Sequence, residues 1–274
     1  MLPPLPVIDC RPANEYQTGH IQGATHLPAA ALFARMHELP QRTMPVQLCG
    51  TPQSLAEARS FLQAKGYQVA AEWLWDETLK NKLIANRKFE TGSASTNLWQ
   101  PAPLIAHFIA QQSRWHTTPG HGLDIACGAG RDMVYMAMHG WQMTGIDYLP
   151  GALQRASELA AHNRAQVSTL QLDLEHGGNP FPPDWQPFDF VCALRYLHRP
   201  LFPYLKSLIK PGGILLYQTF MQGCEKISSP RNPNFLLRPG ELAETFAEFE
   251  ILHDEVEHLA DGRPVAAFIA RKPL

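Results

Sequence analysis

From residue 104 onward the chain alternates two hydrophobic periodicities, and that alternation leaves few folds open. GLDIA, QMTGID, VSTLQLD, FDFVCAL and GGILLYQTF are short apolar runs that read as strands. LIAHFIAQQ, DMVYMAMHG, GALQRASELAAHN and LFPYLKSLIK place apolar residues at helical spacing around and between them. Strands that take turns with helices form a parallel sheet with right-handed crossovers. The end departs from this rule: after a helix at PGELAETFAEF, FEILHDEVEHL and VAAFIARK read as two strands joined through DGRP, an antiparallel hairpin with an Asp-Gly turn. The expected class is a doubly wound, Rossmann-like α/β sheet closed by that hairpin.

In such a sheet the ligand lies over the carboxyl ends of the strands. The first strand ends in LDIACGAGRD, where Gly128 and Gly130 let the backbone approach a ligand bare and take positive φ cheaply. The helix then starts near Arg131, with Arg131 and Asp132 in its first turn. Asp147 ends the second strand about 20 residues on, the place from which a carboxylate accepts both ribose hydroxyls. Asp173, ending the third strand, can accept from an adenine amino group, with the Leu174 amide beside it. NAD, FAD and S-adenosylmethionine all fit the glycine turn. A dinucleotide fold usually has a third glycine for close helix packing, and Met133 stands there instead.

Ahead of this region, FETGSASTNLWQPAP breaks the pattern with small polar residues and prolines, as a connector does. The chain is therefore expected to divide into a domain over 1–88, a linker over 89–103 and a domain over 104–274. In the first part VID and VQL read as buried strands, and AALFARMHEL and SLAEARSFLQAKG as helices. Ser54 with Glu57 suggests a capping box for the second helix, and Gly66 a left-handed stop.

Composition narrows the partners. A chain of 274 residues that is 45% hydrophobic and carries a net charge of −2 has no basic field for nucleic acid. No apolar run approaches the roughly 20 residues that span a bilayer, and MLPPLPVIDC has neither a basic leader nor a long apolar stretch, so a soluble cytoplasmic protein is expected. The five cysteines are dispersed without CxxC spacing, which argues for free thiols and against a disulfide framework or a metal site. Oligomeric state is not legible.

Taken in order, LDIACGAGRD, GIDYLPGAL, LQLDLE, FDFVCALRYLHRPL and KPGGILLYQTF, followed by the hairpin, resemble a class I S-adenosylmethionine-dependent methyltransferase. Within that class the chain is most similar to the branch of tellurite-resistance and thiopurine methyltransferases. The resemblance implies seven strands ordered 3-2-1-4-5-7-6, S-adenosylmethionine as cofactor and a small-molecule methyl acceptor. It implies that Asp124, Gly128 and Gly130 face the methionine end, Asp147 the ribose, and Asp173 with Leu174 the adenine. Ala126, Arg131, Tyr148 and Leu194 are the further cofactor-facing positions.

A sulfonium methyl is already activated, so alignment and exclusion of water are the main tasks. Thiols and chalcogen anions need no dedicated base, whereas hydroxyls and amides usually do. LRYLHRP follows the fourth strand, which makes Tyr196 and His198 the catalytic candidates and Arg195 and Arg199 the substrate-binding ones; two arginines suit an acidic or oxyanionic acceptor. QGCEKISSPRNPNFLLRPGEL is long enough to be a lid.

The front segment resembles a rhodanese domain through VIDCRPANEYQTGHIQGATHLP and through VQLCG followed by SLAEARSFLQAKGY. That resemblance implies a catalytic Cys49 carrying sulfane sulfur at the start of a helix, whose partial positive charge lowers a thiol pKa. Two departures stand out. The cysteine loop reads CGTPQS where active members resemble CRSGNRS, and the chain starts almost at VID, so either a truncated, degenerate module or a late start is expected. Asp9, Arg11 and Glu15 are expected to pair within the fold. A persulfide on Cys49 presented to the methyl donor would link the two parts. The alternative functions are an NAD-dependent oxidoreductase and a non-catalytic sensor of S-adenosylmethionine or of a partner protein.

Overall fold

The computed structural model describes residues 5–274. They divide at Gln100/Pro101 into two compact units. The first four residues of the expected front domain lie outside the described part.

The first unit runs β1 (Val7–Asp9), α1 (Ala13–Thr18), β2 (His20–Ile21), β3 (Thr25–His26), β4 (Val46–Gly50), α2 (Pro52–Ala64), β5 (Val69–Leu74), α3 (Glu77–Ala85) and β6 (Phe89–Glu90). Four of these strands form a parallel sheet ordered β3-β1-β4-β5, and β2 pairs antiparallel with β6. Ile8, Leu27, Leu48, Leu55 and Leu62 make its core. Asp9 and Arg11, both fully buried, form a two-pronged ion pair at 3.0 and 2.6 Å, and the Arg11 guanidinium also lies 3.8 Å over the Trp75 ring. The expected internal pairing therefore involves Asp9 and Arg11; Glu15 is not part of it.

Two local expectations change. The capping box of α2 joins Thr51 to Ser54, not Ser54 to Glu57, because Pro52 takes the first helical position and moves the cap one residue ahead of itself. Glu57 instead accepts from Gln53 at 2.9 Å. AALFARMHEL forms two 3-10 turns, Ala29–Ala31 and Met36–Glu38, rather than one helix. Pro28 and Pro40 bracket the stretch, and of its apolar residues only the leucines are buried while Phe33 and Met36 are exposed, so the apolar spacing never becomes one face. Gly66 does stop α2 in the left-handed region, at φ 82°. Part of the expected connector is tied down: Gly92 N–H donates to Gln17 O at 2.8 Å, and the Thr25 and Thr96 hydroxyls meet at 2.9 Å.

The second unit runs α4 (Pro103–Gln111), β7 (His121–Ile125), α5 (Arg131–Met138), β8 (Gln142–Asp147), α6 (Pro150–His162), β9 (Val167–Gln171), β10 (Phe188–Leu194), α7 (Phe202–Leu208), β11 (Ile209–Phe220), α8 (Glu241–Thr245), β12 (Glu250–His258) and β13 (Pro264–Arg271). Its sheet is ordered β12-β13-β11-β10-β7-β8-β9, with β13 antiparallel to both neighbours and the other pairings parallel. This is the seven-stranded order and the closing hairpin expected from the sequence. Alternate residues of β10 serve two cores, Val191 and Ala193 on one face, Phe190 and Cys192 on the other. Helix α8 is shorter than PGELAETFAEF suggested, starting only after Gly240 at φ 75°.

Removing Arg11 leaves the Asp9 carboxylate buried without its partner. Arg11→Met should destabilise the first unit by about 3–5 kcal/mol, read as a fall in the denaturant midpoint of its transition.

Candidate active site

After β7 the chain moves to β8 on one side while β10 returns on the other, and that reversal opens a crevice at the carboxyl ends of the strands. The loop there is left-handed at three of its five residues: Ala126 at φ 55°, Gly128 at 56° and Gly130 at 76°. A Cβ on Gly128 would meet nothing within 4 Å, so this part of the backbone is bare and open. A Cβ on Gly130 would lie 2.6 Å from Ala156 Cβ in α6, so here the glycine serves packing. Met133 is fully buried against Gly145 of β8, where a Cβ would come within 2.5 Å of its Sδ. The close helix–strand approach that a third glycine gives elsewhere is reached by stripping the strand instead. Sequence reasoning passed over Gly145, although a glycine inside a strand marks close approach.

Asp147 both ends β8 and fixes the loop. Its Oδ2 accepts from Gly128 N–H and its Oδ1 from Leu149 N–H, each at 2.9 Å. An ionised carboxylate has about four acceptor positions, so each oxygen keeps one for a vicinal diol. Tyr148 beside it is exposed. Asp173 is exposed and accepts from Glu175 N–H at 2.9 Å, while the Leu174 side chain is buried in the core. Leu194 closes β10 half-buried, and Arg131 opens α5 exposed.

Asp124 is the most demanding group of the unit. It is 2% exposed, and no described residue forms a salt bridge with it. Burial pushes its carboxyl well above the usual carboxylate range, and neighbouring Asp132 pushes it further, against hydrogen bonds from Cys192 and the Met133 amide. Asp132 is raised as well, chiefly by burial, although it accepts from Ala102 N–H at 2.6 Å and has Arg131 and Arg195 nearby. Two crowded acids behind a bare loop suit a cationic ligand. The ammonium and sulfonium of S-adenosylmethionine supply that charge, and its ribose supplies the diol for Asp147, so the residues present fit the cofactor.

Beside the crevice lies a cleft of about 450 Å³ whose lining includes Glu175, Arg195, Tyr196, Thr219, Phe235 and Arg263. The LRYLHRP candidates are divided by it. Arg195 and Tyr196 line this cleft, whereas His198 and Arg199 line an adjoining cavity of about 340 Å³. The Tyr196 hydroxyl donates to Glu175 Oε1 at 3.4 Å, and burial raises its pKa, so it is a protonated donor at neutral pH and not a base. Arg199 has four of its five donors already taken. It binds Glu241 through two nitrogens at 2.5 and 3.0 Å and the carbonyls of Asn234 and Leu236 at 2.8 Å each, pinning the 234–241 segment. Arg263, Glu175 and Thr219 were not singled out from the sequence; Arg263 sits in the hairpin loop, with nothing local to mark it.

In the first unit Cys49 is the thiol that the rhodanese resemblance singles out. It lies inside β4, fully buried, and its pKa is pushed up to about 12 by burial and then by Asp9. Only Gly50 and Thr51 separate it from α2, and the Thr51 and Ser54 side chains already take up the free amides there.

Residues 123–213 match the methyltransferase domain family and residues 2–72 the rhodanese-like domain family. An uncharacterised protein of Schizosaccharomyces pombe, UNK4.09, is 22% identical over 97% of this chain and 93% of its own length. A probable thiol methyltransferase 2 of Arabidopsis thaliana is 28% identical over 49% of this chain and 60% of its own. The crystal structure of TehB from Haemophilus influenzae superposes with a TM-score of 0.50 at 20% identity, covering 61% of this chain and 62% of that one. The chain thus spans less than two thirds of these last two proteins. It carries a methyltransferase domain and a rhodanese-like domain.

Two results should separate the glycine roles. Gly128→Ala costs about 1 kcal/mol of left-handed strain, whereas Gly130→Ala adds overpacking and should cost about 3 kcal/mol or more, both read by denaturant titration. For Asp124, folding raises the pKa, so the ionised form works against the fold and its penalty is lost as pH falls. Asp124→Asn should melt above the parent protein at pH 8, and the gap should shrink as the pH is lowered.

Proposed function

We propose that this chain transfers a methyl group from S-adenosylmethionine to a small-molecule acceptor, with a thiol or a chalcogen anion as the acceptor class. The observation that carries the reading is the bare left-handed loop at Gly128, set between the buried Asp124 and the diol-ready Asp147. When bound, the cofactor supplies a methyl already activated by its sulfonium. Asp124 and Asp132 balance the cofactor's charge, Asp147 takes the ribose, and the loop at 126–130 allows contact at backbone distance. Ala126, Arg131, Tyr148, Asp173, Leu174 and Leu194 form the rest of the cofactor wall.

The acceptor class follows from what faces it. Tyr196 is held protonated, and His198 lines the neighbouring cavity; among the described residues the ionisable acceptor in the cleft is Glu175, a weak base. Such a site handles nucleophiles that ionise easily and leaves alcohols and amides unactivated. The name of the Arabidopsis relative supports the same choice. We assign the first unit no sulfur-carrying step, because Cys49 is buried with a raised pKa. No helix of the described residues is long and apolar enough to cross a membrane, and the five thiols are unpaired, which supports a reducing, cytoplasmic setting.

Calorimetry with S-adenosylmethionine and NAD, followed by a labelled-methyl screen over thiols, selenite, tellurite and phenols, tests the reading. Binding of the first cofactor and label on thiols or chalcogens is expected; label on phenols alone would overturn the acceptor class, and binding of NAD alone the whole assignment. Cys49→Ser and His198→Ala should each keep turnover within about twofold of the parent at every pH, since neither residue faces the reacting groups. Iodoacetamide should label native Cys49 only after unfolding.

A further inference from the structure

We propose that the acceptor cleft selects molecules carrying an oxyanion group, a carboxylate above all, held by the Arg195 guanidinium. This rests on the methyl-transfer reading and narrows its substrate class. The Arg195 backbone is left-handed at φ 57°, fixed by its N–H donating to Gln218 O at 2.7 Å. An arginine seldom adopts that conformation, and strained residues of this sort gather at ligand sites. Arg195 is exposed on the cleft lining and its guanidinium makes no hydrogen bond to any described residue, so its planar fork of five donors is free for a ligand.

The surroundings set the sign of the missing partner. Arg263, on the same lining, is already committed: it bonds Asp261 at 2.8 Å and the Ser229 carbonyl, and lies 4.8 Å over the Phe220 ring. It is a fixed charge that adds to the field rather than a free fork. Arg131 is a second cation near Arg195, and partial burial of the head group and then Arg131 draw the Arg195 pKa down. Asp132 and Asp261 oppose this, but neither bonds Arg195. On the same lining Glu175 accepts from the Tyr196 hydroxyl at 3.4 Å, so an anionic group favours the Arg195 fork over the Glu175 carboxylate. Phe235, Phe220, Leu197 and Pro230 supply apolar wall. That wall favours an organic acid over a bare inorganic oxyanion, although the fork would hold either.

The test titrates the full chain, saturated with S-adenosylhomocysteine, with benzoate, benzamide and selenite. Benzoate should bind at least about tenfold more tightly than benzamide, equivalent to about 1.4 kcal/mol, and Arg195→Gln should remove the difference while its affinity for S-adenosylhomocysteine stays within about twofold, showing an intact fold. Selenite bound without benzoate would keep the oxyanion site and assign it to an inorganic ligand. Equal affinity for benzoate and benzamide, no binding of any anion, or a preference that survives in Arg195→Gln overturns the inference while leaving methyl transfer standing. Failure of S-adenosylhomocysteine to bind the parent chain sinks the methyl-transfer reading instead, and the anion titration of the free chain still reads the cleft.

Discussion

One buried carboxylate sets the terms for the second unit. Asp124 sits in the middle of a parallel sheet, where water cannot reach it, with a second acid close by and no cation to pair with. A core of this kind gains nothing from that arrangement: an uncompensated buried charge costs several kcal/mol, and a neutral residue would pack there as well. The cost becomes useful only when a positive ligand arrives. The open Gly128 backbone, the left-handed run from Ala126 and the carboxylate of Asp147 all place that ligand within reach of Asp124.

Much of this was legible in the sequence because it depends on backbone geometry. Strand order follows from the alternation of periods, and the glycines, Asp124 and Asp147 sit at strand ends whose position the pattern defines. Packing compensation was harder to see. Met133 in place of a third glycine looked like a departure, but Gly145 on the neighbouring strand makes room for it, and such a trade joins residues that are distant in sequence. AALFARMHEL shows the opposite failure, with correct spacing for a helix between prolines that prevent one from forming.

The acceptor side was legible in kind but not in detail. An arginine pair after β10 suggested anion recognition, yet Arg199 is consumed in bracing the 234–241 segment, and a residue from the terminal hairpin, Arg263, supplies the second charge. Local sequence cannot say which donors are already spent. In the first unit the rhodanese motifs were genuine, but their chemistry depends on a cradle one turn long. Between Cys49 and α2 the chain leaves two residues, and the helix cap takes up the Thr51 and Ser54 amides. The fold outlasts the loop, because the sheet and the Asp9–Arg11 pair do not depend on it.

The central claim is that Asp124, a buried carboxyl whose pKa burial and then Asp132 push well above the usual range, meets the positive charge of the cofactor. Calorimetric titration with S-adenosylmethionine in two buffers of different ionisation enthalpy counts the protons exchanged on binding. The account predicts that binding lowers that pKa, so that protons are released on binding between about pH 6 and 8, and that the release disappears in Asp124→Asn. Binding with no proton exchange across that range, or the same release in Asp124→Asn, would contradict it.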